Sequence, residues 1–275
     1  MKSQITRLED STITLKITVP WSEVSKTREE VLGEMANSAN LPGFRRGKAP
    51  KKIVEENLDK ARVREEVLRH LLPKAYVEAV KEHNLKPIID PKVHVLPLID
   101  EKDWEFEAVT CEEPEVNLGD YKKRVKDATA KSKIIVPGKE NEGPKLDDII
   151  KALLEAASVK LPKILIDYET DKLLSQTLSE IKKLGLTLDQ YLASTGKNAD
   201  MLRLEYAGKA TNDLKLEFVL RKVAETEKIT VEEADLQKTI DKAKNEEEKK
   251  NLSANKYLLA SILRQQKTLD FLRNL

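Results

Sequence analysis

The chain has 275 residues, 49 of them basic and 48 acidic, so its formal net charge is +1 and any polyanion-binding surface must be local rather than a general basic coat. Charged residues make up 35% and aromatics only 4%, which fits charged helices over cores of Leu, Ile, Val and Ala, and the single cysteine, Cys111, excludes an intrachain disulfide. The start MKSQITRLED lacks the apolar stretch of a secretory leader, no run approaches the roughly 18 apolar residues of a membrane span, and His70, His83 and His94 stand at no metal-ligand spacing; a cytosolic, membrane-free protein with no metal and no cofactor is expected.

Residues 12 to 19, TITLKITV, alternate apolar and polar and predict a half-buried strand, with residues 3 to 8 as its hairpin partner across Glu9-Asp10-Ser11. After Pro20, Trp21, Val24, Val31, Leu32 and Met35 recur at helical spacing to about Ala39. A further helix should begin at Pro50, and Val63, Val67, Leu71, Ala75 and Ala79 mark a long helix that Pro73 should kink. KVHVLPL and WEFEAV alternate again, so residues 1–113 read as an α+β domain.

Residues 114–145 are rich in charge, glycine and proline with no sustained period, and read as a linker too short to be a domain. From Leu146 to the end the pattern is helical, an all-α domain over 146–275. Pro162 should start one helix and Gly185 end it; Thr187-x-x-Gln190 and Thr230-x-x-Glu233 read as capping boxes, and Asn198 as the cap of a helix reaching Val223. A last helix carries Leu258, Leu259, Ile262, Leu269 and Leu272. Two such domains and a linker make an elongated, multi-domain chain.

The segment LPGFRRGKAP, residues 41–50, sets one aromatic and three cations among two glycines and two prolines, and Lys51 and Lys52 follow at once. No acid occurs from Met35 to Val54. Cations in the first turn of a following helix oppose its dipole, at about 0.3–1 kcal/mol each when exposed, so local stability does not explain the cluster. An anionic partner does: Arg45 and Arg46 can fork onto phosphate or carboxylate oxygens, Lys48 adds a point charge, and Phe44 can enter an apolar pocket or stack on a base. The competing reading is a solvated loop with Phe44 folded back as a plug.

This segment resembles the ribosome-docking signature of the trigger factor family, Gly-Phe-Arg-x-Gly-Lys-x-Pro: Gly43, Phe44, Arg45, Gly47, Lys48 and Pro50 match its six fixed positions. LPKILIDYETDKLL and LASILRQQKTLDFL resemble that family's C-terminal helical domain. The resemblance implies a chaperone docked on the large ribosomal subunit, at protein and RNA beside the exit tunnel, with Gly43, Phe44, Arg45, Arg46, Gly47 and Lys48 as the docking residues. It implies nascent and unfolded polypeptides as clients, held in a cradle of helical arms, and leaves a homodimer open. Most of the family carry a prolyl-isomerase domain of the FK506-binding type between these regions. Here a chain with 2 Trp, 6 Tyr and 4 Phe in all passes straight from PEVNLGDYKKRVKD through a short linker to the helices, which leaves no room for an aromatic-lined pocket.

LKLEFVLRKVAE is apolar over more than one helical face, so Leu214, Leu216, Phe218 and Leu220 are candidate client-binding residues; the competing reading is a central helix buried on several sides. No phosphate-binding loop of the G-x-x-x-x-G-K-[ST] kind occurs, so chaperone action would be ATP-independent. The alternative function is an RNA-binding or ribosome-assembly factor using the same basic loop, which the mixed charge of the C-terminal half disfavours. No nucleophile–base pair is legible, so an enzyme is not expected.

Overall fold

The computed structural model describes residues 1–38, 59–132, 146–243 and 245–275. The chain divides into two compact units, Met1–Glu113 and Pro114–Leu275.

The first unit orders its elements as β1 (Lys2–Arg7), β2 (Thr12–Val19), α1 (Trp21–Ser38), α2 (Lys60–Glu82), β3 (Lys92–Val95) and β4 (Trp104–Cys111). All pairs are antiparallel, in the order β1-β2-β4-β3. The period-2 pattern of β2 puts Ile13, Leu15, Ile17 and Val19 on one face, and β4 adds Trp104, Phe106 and Ala108 to the same core. The opposite face is polar, with Lys16 in register with Glu107 and ion-paired to Glu105 at 3.0 Å. The β1–β2 turn is closed by Ser11 in the left-handed region (φ 67°) and by the Thr12 N–H donating to Asp10 Oδ1 at 3.0 Å.

The helical stripe that the sequence predicts lies against this sheet: Val63, Val67, Leu71, Ala75 and Ala79 of α2 are all buried, as are Val24 and Val31 of α1. Each such Leu or Val contributes about 1.5–3 kcal/mol of transfer free energy. The Trp21 N–H at the start of α1 donates to Asp103 Oδ1 at 2.8 Å, so the loop before β4 supplies an acceptor for an otherwise unpaired helix donor. α2 continues through Pro73 to Glu82. Ser3 Oγ donates to Glu82 Oε2 at 2.5 Å and lies 2.9 Å from His83 Nε2, which ties β1 to the end of α2. The helix expected to begin at Pro50 starts outside the described residues.

The second unit contains β5 (Val116–Asn117), α3 (Tyr121–Ser132), α4 (Leu146–Ala156), β6 (Ser158–Val159), α5 (Lys163–Lys183), α6 (Leu188–Thr195), α7 (Ala199–Thr226), α8 (Glu233–Asp241), α9 (Glu246–Ala254) and α10 (Lys256–Arg273). The reading of residues 114–145 as a linker fails for their first half. β5 pairs antiparallel with β6, Val116 opposite Val159, and α3 packs on α4, with Tyr121 and Val125 buried beside Ile149 and Leu153. Residues 133–145 lie outside the described residues. The helix escaped the sequence argument because YKKRVKDATAKS offers few apolar side chains and many charges, so its period is faint.

Val219, Leu220 and Val223 of α7 and Leu272 of α10 complete that core, while Leu236, Ile240 and Leu259 form a smaller core among α8, α9 and α10. Gly119 turns the chain from β5 into α3 at φ +52°, where a Cβ would stand 2.6 Å from the Ala156 carbonyl oxygen, so only glycine fits. Gly185 (φ 75°) ends α5 as expected, its N–H donating to the Lys182 carbonyl at 3.0 Å. Thr187 and Gln190 cap α6 reciprocally, and Asn198 Oδ1 accepts from the Met201 N–H at 2.8 Å at the head of α7. The box expected at Thr230 and Glu233 sits two residues further on: the Glu232 N–H donates to Asp235 Oδ2 at 3.0 Å, because Val231 is drawn against the smaller core and the helix starts after it.

Candidate functional site

The docking candidates Gly43, Phe44, Arg45, Arg46, Gly47 and Lys48 lie outside the described residues. The elements that flank them are described. α1 ends at Ser38, and α2 begins at Lys60 behind the cap Asp59, whose Oδ1 accepts from the Ala61 N–H at 2.9 Å.

The client candidates are placed differently from the expectation. Leu214, Phe218 and Leu220 are buried, and Leu216 packs half-buried against the main core of the unit. α7 is wide in its apolar pattern because it packs on α4, α5, α10 and β5 together, so its side chains are consumed by the fold rather than offered to a ligand. Of the two readings of Leu214, Leu216, Phe218 and Leu220, the burial favours the central helix packed on several sides. Arg221 lies over the Phe218 ring, 5.6 Å from its centroid.

Exposed apolar side chains occur elsewhere, along two stretches of the chain. The first is where α5 ends, α6 follows and α7 begins: Leu184 is 76% exposed, Leu204 75% and Met201 55%, with Leu178, Leu186 and Leu188 also exposed. Here α5 and α7 run side by side, joined by Arg203 to Asp171 at 2.8 Å and by Thr177 Oγ1 to Tyr206 Oη at 2.7 Å. The second is the head of α10, where Tyr257 is 92% exposed and Leu258 and Ile262 are exposed beside it. A groove of about 400 Å³ runs between α9 and Leu258, Leu259 and Ile262 of α10. The sequence held a signal for the first place: Leu184, Leu186 and Leu188 alternate around a helix-ending glycine, where no single helical face can bury them all.

The electrostatics of the second unit are those of a scaffold. Glu227 at the end of α7 accepts from Lys122 Nζ at 2.7 Å and from Tyr121 Oη at 2.6 Å, and these two partners, Lys122 first, hold its carboxyl below the usual range. Burial, then the bond to Glu227, pushes the Tyr121 hydroxyl up. Lys267 bonds Asp235 and lowers its carboxyl in the same way. In the first unit, burial and then Asp10 push the Cys111 thiol up to about 11, so it is not a nucleophile at neutral pH. Ser3 and His83 are within hydrogen-bond distance, a pairing not legible in the sequence, but the serine hydroxyl donates to Glu82 and the ring does not take its proton. Among the described residues no three His, Cys, Asp or Glu side chains gather to hold a metal, and no helix is long and apolar enough to cross a membrane.

With this geometry in view, the similarities are informative. Residues 1–136 match the family model described as bacterial trigger factor protein, and residues 139–274 match the one described as bacterial trigger factor protein C-terminus. Trigger factor of Pelotomaculum thermopropionicum is 38% identical over 122 residues, 44% of this chain and 28% of that protein. Trigger factor of Staphylococcus aureus strain JH9 is 40% identical over 108 residues, 39% of this chain and 25% of that protein, so the matched part spans about a quarter of these relatives. A solved structure described as "Promiscuous Substrate Recognition in Folding and Assembly Activities of the Trigger Factor Chaperone" shares the fold, with a TM-score of 0.69 at 14% identity over 100% of this chain and 99% of that one. The two family models together cover residues 1–136 and 139–274, and they place this chain in the trigger factor family.

Proposed function

We propose that this protein is an ATP-independent chaperone that docks beside the exit tunnel of the large ribosomal subunit and shields nascent or unfolded polypeptides in the cytoplasm. The observation that carries the client half of this reading is the set of exposed apolar side chains on charged helices, Leu184 and Leu204 in one stretch of chain and Tyr257 and Leu258 in another. Scattered apolar contacts, each of about 1.5–3 kcal/mol when fully buried, offset by ordering of the client, leave micromolar binding that releases without nucleotide. The docking half rests on the motif residues Gly43, Phe44, Arg45, Arg46, Gly47 and Lys48 and on family membership. The relatives share the name trigger factor, which disfavours a role as an RNA-binding assembly factor. The same exposed side chains give free copies a reason to pair as a homodimer.

The protein is not a prolyl isomerase on this reading, since the two family regions nearly abut. The test is co-sedimentation with ribosomes at two salt concentrations. Replacing Phe44, Arg45 and Arg46 by Ala abolishes it while circular dichroism stays native, and if all five cations from Arg45 to Lys52 meet phosphates the log–log salt slope is no steeper than about −4. Binding that survives the triple substitution removes the docking assignment.

A further inference from the structure

The smaller core of the second unit is covered on one side by α9, and α9 is held far more weakly than its neighbours. None of its residues is buried. Leu252, half-buried, is its apolar link to Leu236, Ile240 and Leu259. The ion pair from its Lys249 to Asp241 is 3.7 Å long with both side chains about half exposed, a kind that contributes little. A helix of nine residues has little stability of its own, although Asn245 caps it and three glutamates suit its first turn.

α8 and α10 are joined without it. Lys256 bonds Glu233 at 2.6 Å, Lys267 bonds Asp235, Arg264 Nε donates to the Ile229 carbonyl at 3.0 Å, and Lys267 Nζ donates to the Thr230 carbonyl at 3.2 Å. Asn255 forms the joint between α9 and α10, with φ −113° and ψ 40°, outside helical geometry.

We propose that α9 is a strap: it undocks as a unit while α8 and α10 stay joined, and so uncovers the apolar surface of Leu236, Ile240 and Leu259 beside the already exposed Tyr257, Leu258 and Ile262. The surface that appears is continuous with the groove α9 now borders. This rests on the client reading above and adds to it a second, hidden part of the client surface, filled by α9 when no client is present. The strap then competes with the client, and the apparent affinity is lowered by the fraction of time it is shut.

The experiment uses the full chain. Hydrogen exchange without client should show the amides of residues 246–254 exchanging at least about a hundredfold faster than those of α8 and α10, a spread that local opening allows. Lys250→Pro breaks α9 at an exposed position and leaves the buried side chains in place. The probe is a reduced, carboxymethylated protein that stays unfolded. If the strap is open about a tenth of the time, Lys250→Pro tightens binding of that probe about tenfold. Leu252→Ser, which removes the plug but keeps the helix, moves affinity in the same direction. Exchange of α9 as slow as that of α10 overturns the strap. Weaker probe binding by both variants also overturns it, since α9 would then be a wall of the site and not a competitor. Fast exchange with no probe binding by any form leaves the strap standing and sinks the client reading instead.

Discussion

Tyr121 at the head of α3 donates its hydroxyl to Glu227 at the end of α7, 2.6 Å away, although 106 positions separate them in the chain. The bond pins the first helix of the second unit to its longest one. Hydrogen bonds to charged groups contribute about 1.5–3 kcal/mol, so Tyr121→Phe should lower unfolding stability by an amount of that order in urea titration. Because Lys122 and Tyr121 lower the Glu227 carboxyl, its contribution is complete above the ordinary carboxylate range and is lost as pH falls through the lowered value. Glu227→Gln should therefore show a shallower loss of stability on acidification than the parent chain. Equal slopes for the two would mean that the carboxylate is not held as described.

Gly119→Ala tests the turn that feeds α3. The left-handed backbone costs a non-glycine residue about 1–2 kcal/mol, and a Cβ would also press on the Ala156 oxygen at 2.6 Å. The substitution should destabilise the second unit by at least that much and leave the first unit's melting unchanged. A neutral result would show that β5 and β6 separate easily.

Cys111 should be inert to an aromatic disulfide reagent in the folded chain. It is fully buried, and its thiol is pushed up to about 11 by burial and then by Asp10. The label should enter at the rate of unfolding of the first unit, and urea should accelerate it in step with loss of circular dichroism. Fast labelling in buffer would show that β4 opens at its end.

Leu184 and Leu204 are three-quarters exposed, so replacing both by Ser should leave the melting temperature within a degree or two while weakening suppression of client aggregation. Phe218→Ala should do the reverse: a core truncation costs about 3–5 kcal/mol and acts through stability. If Phe218→Ala weakened client binding with no loss of stability, the placement of client contacts would have to return to α7.

How legible this was in the sequence depended on how each residue earns its place. The alternation of Ile13, Leu15, Ile17 and Val19 and the four-residue stripe from Val63 to Ala79 were legible because one face is buried and the other is not. α3 was not, because Tyr121 and Val125 are too few to show a period among KKRVKDATAKS, and their burial comes from partners far along the chain. Leu214, Phe218 and Leu220, which the structure buries, were open to two readings for a related reason. A broad apolar run marks a helix with several neighbours, and sequence does not say whether those neighbours belong to the protein or to its ligand. The docking candidates Gly43 to Lys48 stand out in the sequence as composition and motif, and they lie outside the described residues.

Leu272 is fully buried in the core that also holds Tyr121, Val125 and Ile149. Segments from near the beginning and the very end of the second unit thus share one interior. During synthesis the first unit can fold as soon as it leaves the tunnel, as domains emerging first generally do. The second cannot close its interior until residue 272 has been added and released, so every new copy passes through a stage of its own synthesis with that interior open. On the function proposed here, a factor that shields unfinished chains is itself, for that interval, one of the chains in need of shielding.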